Sequence, residues 1–155
     1  IYADGWWVRC TCVMHISLVP TEHIDDIWPR VERHMERAAE YTFGRFLAED
    51  IKEALTRPGT EQQLWIAFDE DKIYGAGVTE IIQFPRLKTL TMHFVGGDRF
   101  KEWGHKGLEV FQNFAKDNNC DVIESYGRPG WEKMWKNDGY VSRYTLYELP
   151  VGKQK

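Results

Sequence analysis

The sequence predicts an α+β fold, in which one mixed, mostly antiparallel sheet carries helices on both of its faces. Two observations support this class. Apolar and polar residues alternate, as they do in strands, over residues 63–69, 72–84 and 89–95, with turn residues between the runs. On either side of these runs, apolar residues recur at three- and four-residue spacings, which is typical of amphipathic helices that cover a sheet. A block of strands flanked by helices is typical of α+β domains.

The chain begins with a predicted strand and two predicted helices. Residues 15–20 alternate between apolar and polar side chains and end at a proline, so they predict a short strand. The apolar spacing predicts a helix over residues 23–39, and Pro29 inside that span can kink or split it. A second, shorter helix over residues 48–56 is expected to stop before Pro58-Gly59.

The runs 63–69, 72–84 and 89–95 predict three antiparallel strands that form a meander. After this meander, the sequence predicts a crossover. Gly96-Gly97-Asp98 ends the meander, and residues 100–118 have the apolar spacing of a helix that covers one face of the sheet. Residues 121–126 predict a buried strand, and a strand, helix, strand order of this length implies a right-handed parallel crossover. Residues 141–149 alternate again and predict a last strand.

Between those last two strands lies the segment GRPGWEKMWKNDGY, residues 127–140. Pro129 suits the first turn of a short helix, where a missing N–H donor costs little. Trp131 and Trp135 are four residues apart, so they share one face of that helix and are expected to pack together. Gly139 and Tyr140 are then expected to lead into the last hairpin.

Length and composition indicate one soluble domain. The chain of 155 residues is long enough to bury a single core. We expect that domain to span residues 14–155, because a natural first strand opens at Met14, and we expect residues 1–13 to be an extension outside it. The net charge of −4 gives no field that favours nucleic acid, and no apolar run is long enough to span a bilayer. The three cysteines do not form a zinc-binding pattern, and we expect no metal.

The element order resembles that of the GNAT superfamily, the acyl-CoA-dependent N-acetyltransferases. The resemblance covers residues 14–149. In that superfamily, the fourth strand ends in a turn that begins with Gln or Arg and has small residues at its fourth and sixth positions. Here Arg99 and Gly104 match the first and the sixth position, whereas Glu102 replaces the first glycine. The resemblance implies a sheet that is splayed between strands four and five.

It also implies acetyl-CoA as the acyl donor. Main-chain N–H groups at the start of the helix would hold the pyrophosphate. The implied cofactor-binding residues lie at the end of the fourth strand and in the first turns of the helix: Val95, Arg99, Lys101, Gly104, His105 and Lys106. A carboxylate at position 102 repels a pyrophosphate, and the neighbouring cations Lys101, His105 and Lys106 can compensate for it.

The resemblance places the acceptor groove where strands four and five part. His93 in the fourth strand and Glu124 in the fifth are therefore the candidate bases, and histidine exchanges protons near neutral pH. Glu80 in the third strand is a weaker candidate. The family's proton-donating tyrosine aligns with Trp135, whose indole cannot replace it. We therefore expect Tyr126 to donate the proton, with Tyr140 as the alternative.

Two functions follow from this resemblance. The first is an N-acetyltransferase that transfers an acetyl group from acetyl-CoA to the amine of a small molecule or a protein. The second is a structural or binding protein that has kept the fold and lost the chemistry, like some phage virion or ejection-associated proteins. We expect the protein to be cytoplasmic, or virion-packaged in the second case. The aromatic-rich last hairpin predicts a homodimer.

Overall fold

A computed structural model describes residues 13–152 and divides the chain into two compact units. The first unit ends at Ser125, and the second begins at Tyr126. Residues 1–12 of the expected extension lie outside the described residues. That residues 14–155 behave as one domain remains a prediction.

The first unit is built on a five-stranded sheet in which the strands lie in sequence order. The strands are β1 (His15–Val19), β2 (Gln62–Phe68), β3 (Ile73–Gln83), β4 (Lys88–Gly97) and β5 (Val122–Ser125). Neighbouring strands are antiparallel except β4 and β5, which are parallel. The prediction of a mixed, mostly antiparallel sheet is confirmed.

Helices cover both faces of this sheet. On one face lie α1 (Ile24–Ala39) and α2 (Ala48–Thr56), and on the other lies α3 (Phe100–Asp117). The core under α1 and α2 contains side chains that are fully or almost fully buried, among them Ile24, Val31, Met35, Ile51, Leu55, Leu64 and Val78. Removing that much apolar surface from water supplies the main stabilisation of this layer. Pro29 does not split α1, which is one continuous helix.

On the opposite face, α3 packs through aromatic side chains. The Trp65 ring meets the rings of Phe111 and Phe114 edge-on, each at 5.1 Å between centroids. Trp103, at the start of α3, joins a second buried cluster with Tyr74. A Cβ at Gly75 would lie 2.4 Å from the Trp103 ring, so glycine at this position lets α3 approach the sheet closely.

The second unit contains a short helical segment. Residues Pro129–Trp131 form a 3-10 turn, α4 spans Glu132–Trp135, and a second 3-10 turn spans Lys136–Asp138. Gly139 ends the segment in a left-handed conformation with φ 87°. The predicted tryptophan pair is in contact at 5.3 Å between centroids, and Trp135 also stacks on Tyr140 at 5.2 Å. Burial raises the pKa of the Tyr140 hydroxyl.

The predicted last strand over residues 141–149 is wrong. In the structure these residues form neither a helix nor a strand. Their apolar side chains are mostly exposed, from 65% at Val141 to 89% at Tyr147. Alternation is favourable for a strand only when one face is buried and the backbone is paired, and this segment has neither within the described residues.

Candidate active site

A β-bulge in β4 shapes the candidate site. Val78 of β3 pairs with Phe94, but the next residue, Thr79, pairs with Met92, so His93 is an extra residue in β4. A bulge breaks the alternation of the strand and re-aims the side chain of the extra residue. Here it places the His93 ring beside Glu80 of β3, on the face of the sheet that α1 covers.

The pairing of β4 with β5 stops at the same point. Parallel pairs run from Thr89 with Val122 to Met92 with Ser125, and β5 then ends. Residues 93–97 of β4 therefore continue without a parallel partner in the part of the chain that the structure describes. Every residue of β5 is paired with β4, so the splaying of strands four and five that the sequence analysis expected remains a prediction.

Polar side chains form a row across the sheet next to the bulge. Gln62, Glu80, Thr91 and Glu124 are direct cross-strand partners in β2, β3, β4 and β5. Direct partners share one face of a sheet. Thr91 Oγ1 donates to Glu124 Oε2 at 3.3 Å, and Gln62 Nε2 donates to Glu80 Oε2 at 3.5 Å. We call these four residues the polar row.

His93 contacts the polar row through a carboxylate. His93 Nε2 lies 2.6 Å from Glu80 Oε2, and the two side chains are 22% and 30% exposed. Because a carboxylate only accepts hydrogen bonds, Nε2 carries the shared hydrogen. The pair is therefore shielded but reachable, and it can exchange a proton with a bound molecule.

Of the other two predicted catalytic residues, Glu124 lies in the first unit, two strands from Glu80. Glu124 is on the edge strand β5 and borders a shallow open pocket with Phe84, Pro85, Arg86 and Leu87. Tyr126 belongs to the second unit and is 60% exposed. The catalytic roles of all three residues remain predictions.

Arg99, the first predicted cofactor-binding residue, has partners within the protein. It is the N-cap of α3 and adopts a left-handed conformation, φ 56°. Its Nε lies 2.5 Å from Glu102 Oε2, and its guanidinium stacks 4.8 Å from the Tyr74 ring centroid. The carboxylate of Glu102 raises the pKa of Arg99. Glu102, which departs from the family pattern, thus pairs with Arg99, which matches it.

A buried acid supports this arrangement from below. The Tyr74 hydroxyl donates to Asp69 Oδ2 at 2.6 Å, which lowers the pKa of Asp69 and raises that of Tyr74. The Lys72 ammonium also lies over the Tyr74 ring, 4.7 Å from its centroid. Arg99 therefore rests on a phenol ring whose own position is fixed by a hydrogen bond.

The remaining predicted cofactor-binding residues differ in their exposure and in their contacts within the protein. Lys101 and His105 are exposed on the first turns of α3. Lys106 Nζ donates to the Met14 carbonyl at 2.8 Å, so it ties α3 to the chain before β1. Val95 is partly buried against the Trp103 cluster. At Gly104, a Cβ would lie 2.8 Å from the Phe100 ring, so this glycine leaves room for that ring.

Sequence reasoning missed two features of the site. It ranked Glu80 below His93 and Glu124, because the bulge that brings Glu80 to His93 depends on strand register and leaves no local signature. It also did not single out His34, whose side chain is 7% exposed and bonds the Ile73 carbonyl through Nε2 at 3.4 Å. Its Nδ1 is buried without a hydrogen-bond partner. Burial lowers the pKa of His34.

Residues 13–152, which the structure describes, contain neither a metal-binding cluster nor a membrane-spanning helix. No group of three or more His, Cys, Asp or Glu side chains is arranged to hold a metal ion there. Within the same range, every helix is too short or too polar to cross a membrane.

Comparison with known proteins gives a fold-level answer. No protein-family model matches the sequence, and no curated protein matches it significantly. Among solved structures, a predicted acetyltransferase of Clostridium acetobutylicum, crystallised with acetyl-CoA, is similar with a TM-score of 0.64. It is 17% identical over 89% of this chain and 96% of its own.

Two further solved structures resemble this chain in fold to a comparable degree. An aminoglycoside acetyltransferase from an uncultured soil metagenomic sample, in complex with sisomicin, has a TM-score of 0.63 at 10% identity, covering 90% of this chain and 97% of its own. An integron cassette protein of V. cholerae has a TM-score of 0.64 at 18% identity, covering 90% and 93%. The chain therefore has the fold of the GNAT-type acetyltransferases.

Proposed function

We propose that this protein is an N-acetyltransferase that uses acetyl-CoA to acetylate an amine. The observation that carries the proposal is the coincidence of three features at His93: the bulge in β4, the end of the β4–β5 pairing, and the hydrogen bond to Glu80. They support the proposal because a histidine and a carboxylate meet next to the point where the parallel pairing ends, in a fold shared with acetyltransferases.

The residues around the start of α3 fit a diphosphate group in their charge. The helix has 18 residues, and its N-terminal end carries partial positive charge. Lys101 and His105 are exposed on its first turns, and Arg99 caps it. When bound there, acetyl-CoA would supply an acetyl group that is activated as a thioester. Glu102 opposes this binding, because it shares Arg99 and adds a negative charge.

His93 and Glu80 would prepare the acceptor. An amine is protonated at neutral pH and must lose a proton to become a nucleophile. The His93–Glu80 pair would take that proton, and the Glu80 carboxylate would stabilise the resulting imidazolium. Glu124 offers a second carboxylate in the same polar row, which would attract the ammonium before it is deprotonated.

One observation favours a second candidate, a protein that has kept the fold and lost acetyl transfer. Arg99 is held by Glu102 and by the Tyr74 ring, so a cofactor would have to compete for it. This alternative predicts no affinity for acetyl-CoA. None of the three similar structures named above is described as a phage protein, so the phage interpretation gains no support from them.

A thermal melt separates the two candidates. Acetyl-CoA at about 100 times its dissociation constant stabilises a folded protein by roughly 2.7 kcal/mol, which raises the Tm of a domain of this size by several degrees. We expect such a rise with acetyl-CoA and release of free thiol when an amine is added. No change in Tm at millimolar acetyl-CoA would refute the proposed function and favour the second candidate.

A further inference from the structure

Aromatic side chains extend from the candidate base to the protein surface. Phe46 packs edge-on against Phe94 with 5.3 Å between ring centroids, and the Phe94 ring lies 6.0 Å from the His93 ring. Phe94 is buried, whereas Phe46 is 43% exposed. An apolar wall therefore begins beside His93 and reaches solvent at the connection between α1 and α2.

That connection, residues 40–47, presents more apolar surface. Phe43 is 79% exposed and Leu47 is 63% exposed. Thr42 fixes the connection, because its Oγ1 donates to the Ala39 carbonyl at 2.7 Å and accepts from the Phe46 N–H at 3.2 Å. Large apolar side chains held outward on an ordered segment are typical of binding surfaces.

The backbone of Phe43 adds an independent observation. Its φ of 55° lies in the left-handed region, where a bulky aromatic residue is an outlier that costs about 1 kcal/mol or more. Asparagine or glycine would occupy this position with less strain. The sequence instead has a phenylalanine whose ring is mostly in solvent, so the cost is not offset by burial in the protein core. Contact of the ring with a bound molecule would offset it.

Charge divides this region into two parts. The polar row contributes the carboxylates of Glu80 and Glu124, which attract a cation. Residues 40–47 carry no net charge, because they contain one acidic residue, Glu40, and one basic residue, Arg45. An acceptor with one ammonium group and an apolar body matches both parts, whereas further positive charges on that body would meet aromatic rings and no surplus of negative charge.

We propose that the acceptor is a primary amine with a single positive charge and an apolar body of about the size of an aromatic ring. Its ammonium faces Glu80 and His93, and its body lies against Phe46 and Phe43. This inference rests on the proposed acetyl transfer, whose substrate class it specifies. It excludes polyhydroxylated acceptors with several charges, such as an aminoglycoside.

The substrate class is tested by thiol release at saturating acetyl-CoA with three amines: 2-phenylethylamine, ethanolamine and sisomicin. We expect kcat/KM for 2-phenylethylamine to exceed both other values at least roughly tenfold, because a buried apolar body contributes that much discrimination. A preference for ethanolamine or sisomicin would overturn the inference and leave acetyl transfer standing. Release with none of the amines, despite a Tm rise with acetyl-CoA, would count against the inference and not against cofactor binding.

Two variants test where the body lies. Phe43→Asn keeps a residue that tolerates a left-handed backbone, so the fold should be retained. We expect it to raise KM for 2-phenylethylamine roughly tenfold and to change KM for ethanolamine less than about twofold. The matched control is Leu18→Asn, at a partly exposed apolar residue of β1, which should leave KM for both amines unchanged. An unchanged KM in Phe43→Asn, or an equal increase in both variants, would overturn the proposed location.

Discussion

His93 is the extra residue of a bulge, and its partner Glu80 lies on the neighbouring strand. A residue in this position can move relative to the regular strand on either side, yet its ring is fixed by one short hydrogen bond at 2.6 Å. The proposed chemistry depends on both members of the pair, but in different ways. His93 would exchange the proton, and Glu80 would set the tautomer of the ring.

Substitutions separate these two roles. We expect His93→Gln to lower kcat by about 10²- to 10⁴-fold, since it removes the proton acceptor. Glu80→Gln should lower kcat less, by roughly tenfold, because the His93 ring keeps a hydrogen-bonding partner and loses only the negative charge of that partner. Steady-state kcat of both variants at saturating substrates provides the check. Equal losses in the two variants, or a larger loss in Glu80→Gln, would contradict these roles.

Glu102 is the second residue whose charge matters. Replacing it with glutamine removes a negative charge beside the proposed diphosphate position and releases Arg99. We expect Glu102→Gln to tighten acetyl-CoA binding about fivefold, which corresponds to about 1 kcal/mol for one exposed charge pair. Titration calorimetry at low and high salt measures the gain, which should shrink as salt screens the charge. Glu109→Gln, an exposed acid farther along α3, is the control and should change nothing.

At the scale of elements, glycines set how closely α1 and α3 approach the sheet. At Gly96, in the part of β4 beyond its parallel pairs with β5, a Cβ would lie 2.1 Å from the His34 carbonyl oxygen of α1. Because that oxygen belongs to the backbone of a helix, it cannot move aside alone. At Gly107, inside α3, a Cβ would meet nothing within 4 Å. These two glycines therefore have different functions in the fold.

The same substitution at the two sites should have opposite effects. Gly96→Ala forces α1 away from β4, and we expect it to lower the free energy of unfolding by roughly 1 to 3 kcal/mol. Gly107→Ala should raise that free energy by about 0.5 to 1 kcal/mol, because alanine loses less backbone entropy in a helix. Urea denaturation of both variants measures these changes. Destabilisation by Gly107→Ala would show that α3 is packed more tightly than the structure indicates.

The elements that the sequence predicted well are the ones with strong periodicity. The spacing over residues 100–118 and the alternation over residues 72–84 gave α3 and β3 to within a residue at each end. The last strand failed because residues 141–149 have the same alternation without a buried face. The bulge at His93 could not be predicted, because it is a property of how two strands are paired.

At the scale of the whole molecule, titratable groups with shifted pKa values make stability depend on pH. His34 has a lowered pKa because of burial, so its neutral form is favoured in the folded state. Asp69 and Asp98 have lowered pKa values because of hydrogen bonds, from Tyr74 and Arg37 respectively, so their charged forms are favoured. All three groups bind protons more readily in the unfolded chain. Stability therefore falls with acidification in each case.

The losses should occur in two separate pH ranges. The His34 contribution is complete above its unfolded pKa of about 6.5 and is lost as the pH falls from there toward the folded value. The Asp69 and Asp98 contributions are lost only as the pH falls below about 3.8. Thermal melts from pH 8 to pH 3 should show both declines in Tm. In His34→Gln the first decline should vanish while the second stays, and persistence of the first would assign it to another group.

The bulge in β4 also determines which change of length this strand accepts. Because two residues of β4 stand opposite one step of β3, His93 is the residue that an uninterrupted ladder would lack. Excising His93 would leave Met92 and Phe94 opposite Thr79 and Val78, where they already lie. Phe94 would stay in the core beneath α1, so the sheet should accept this deletion although the candidate base is lost.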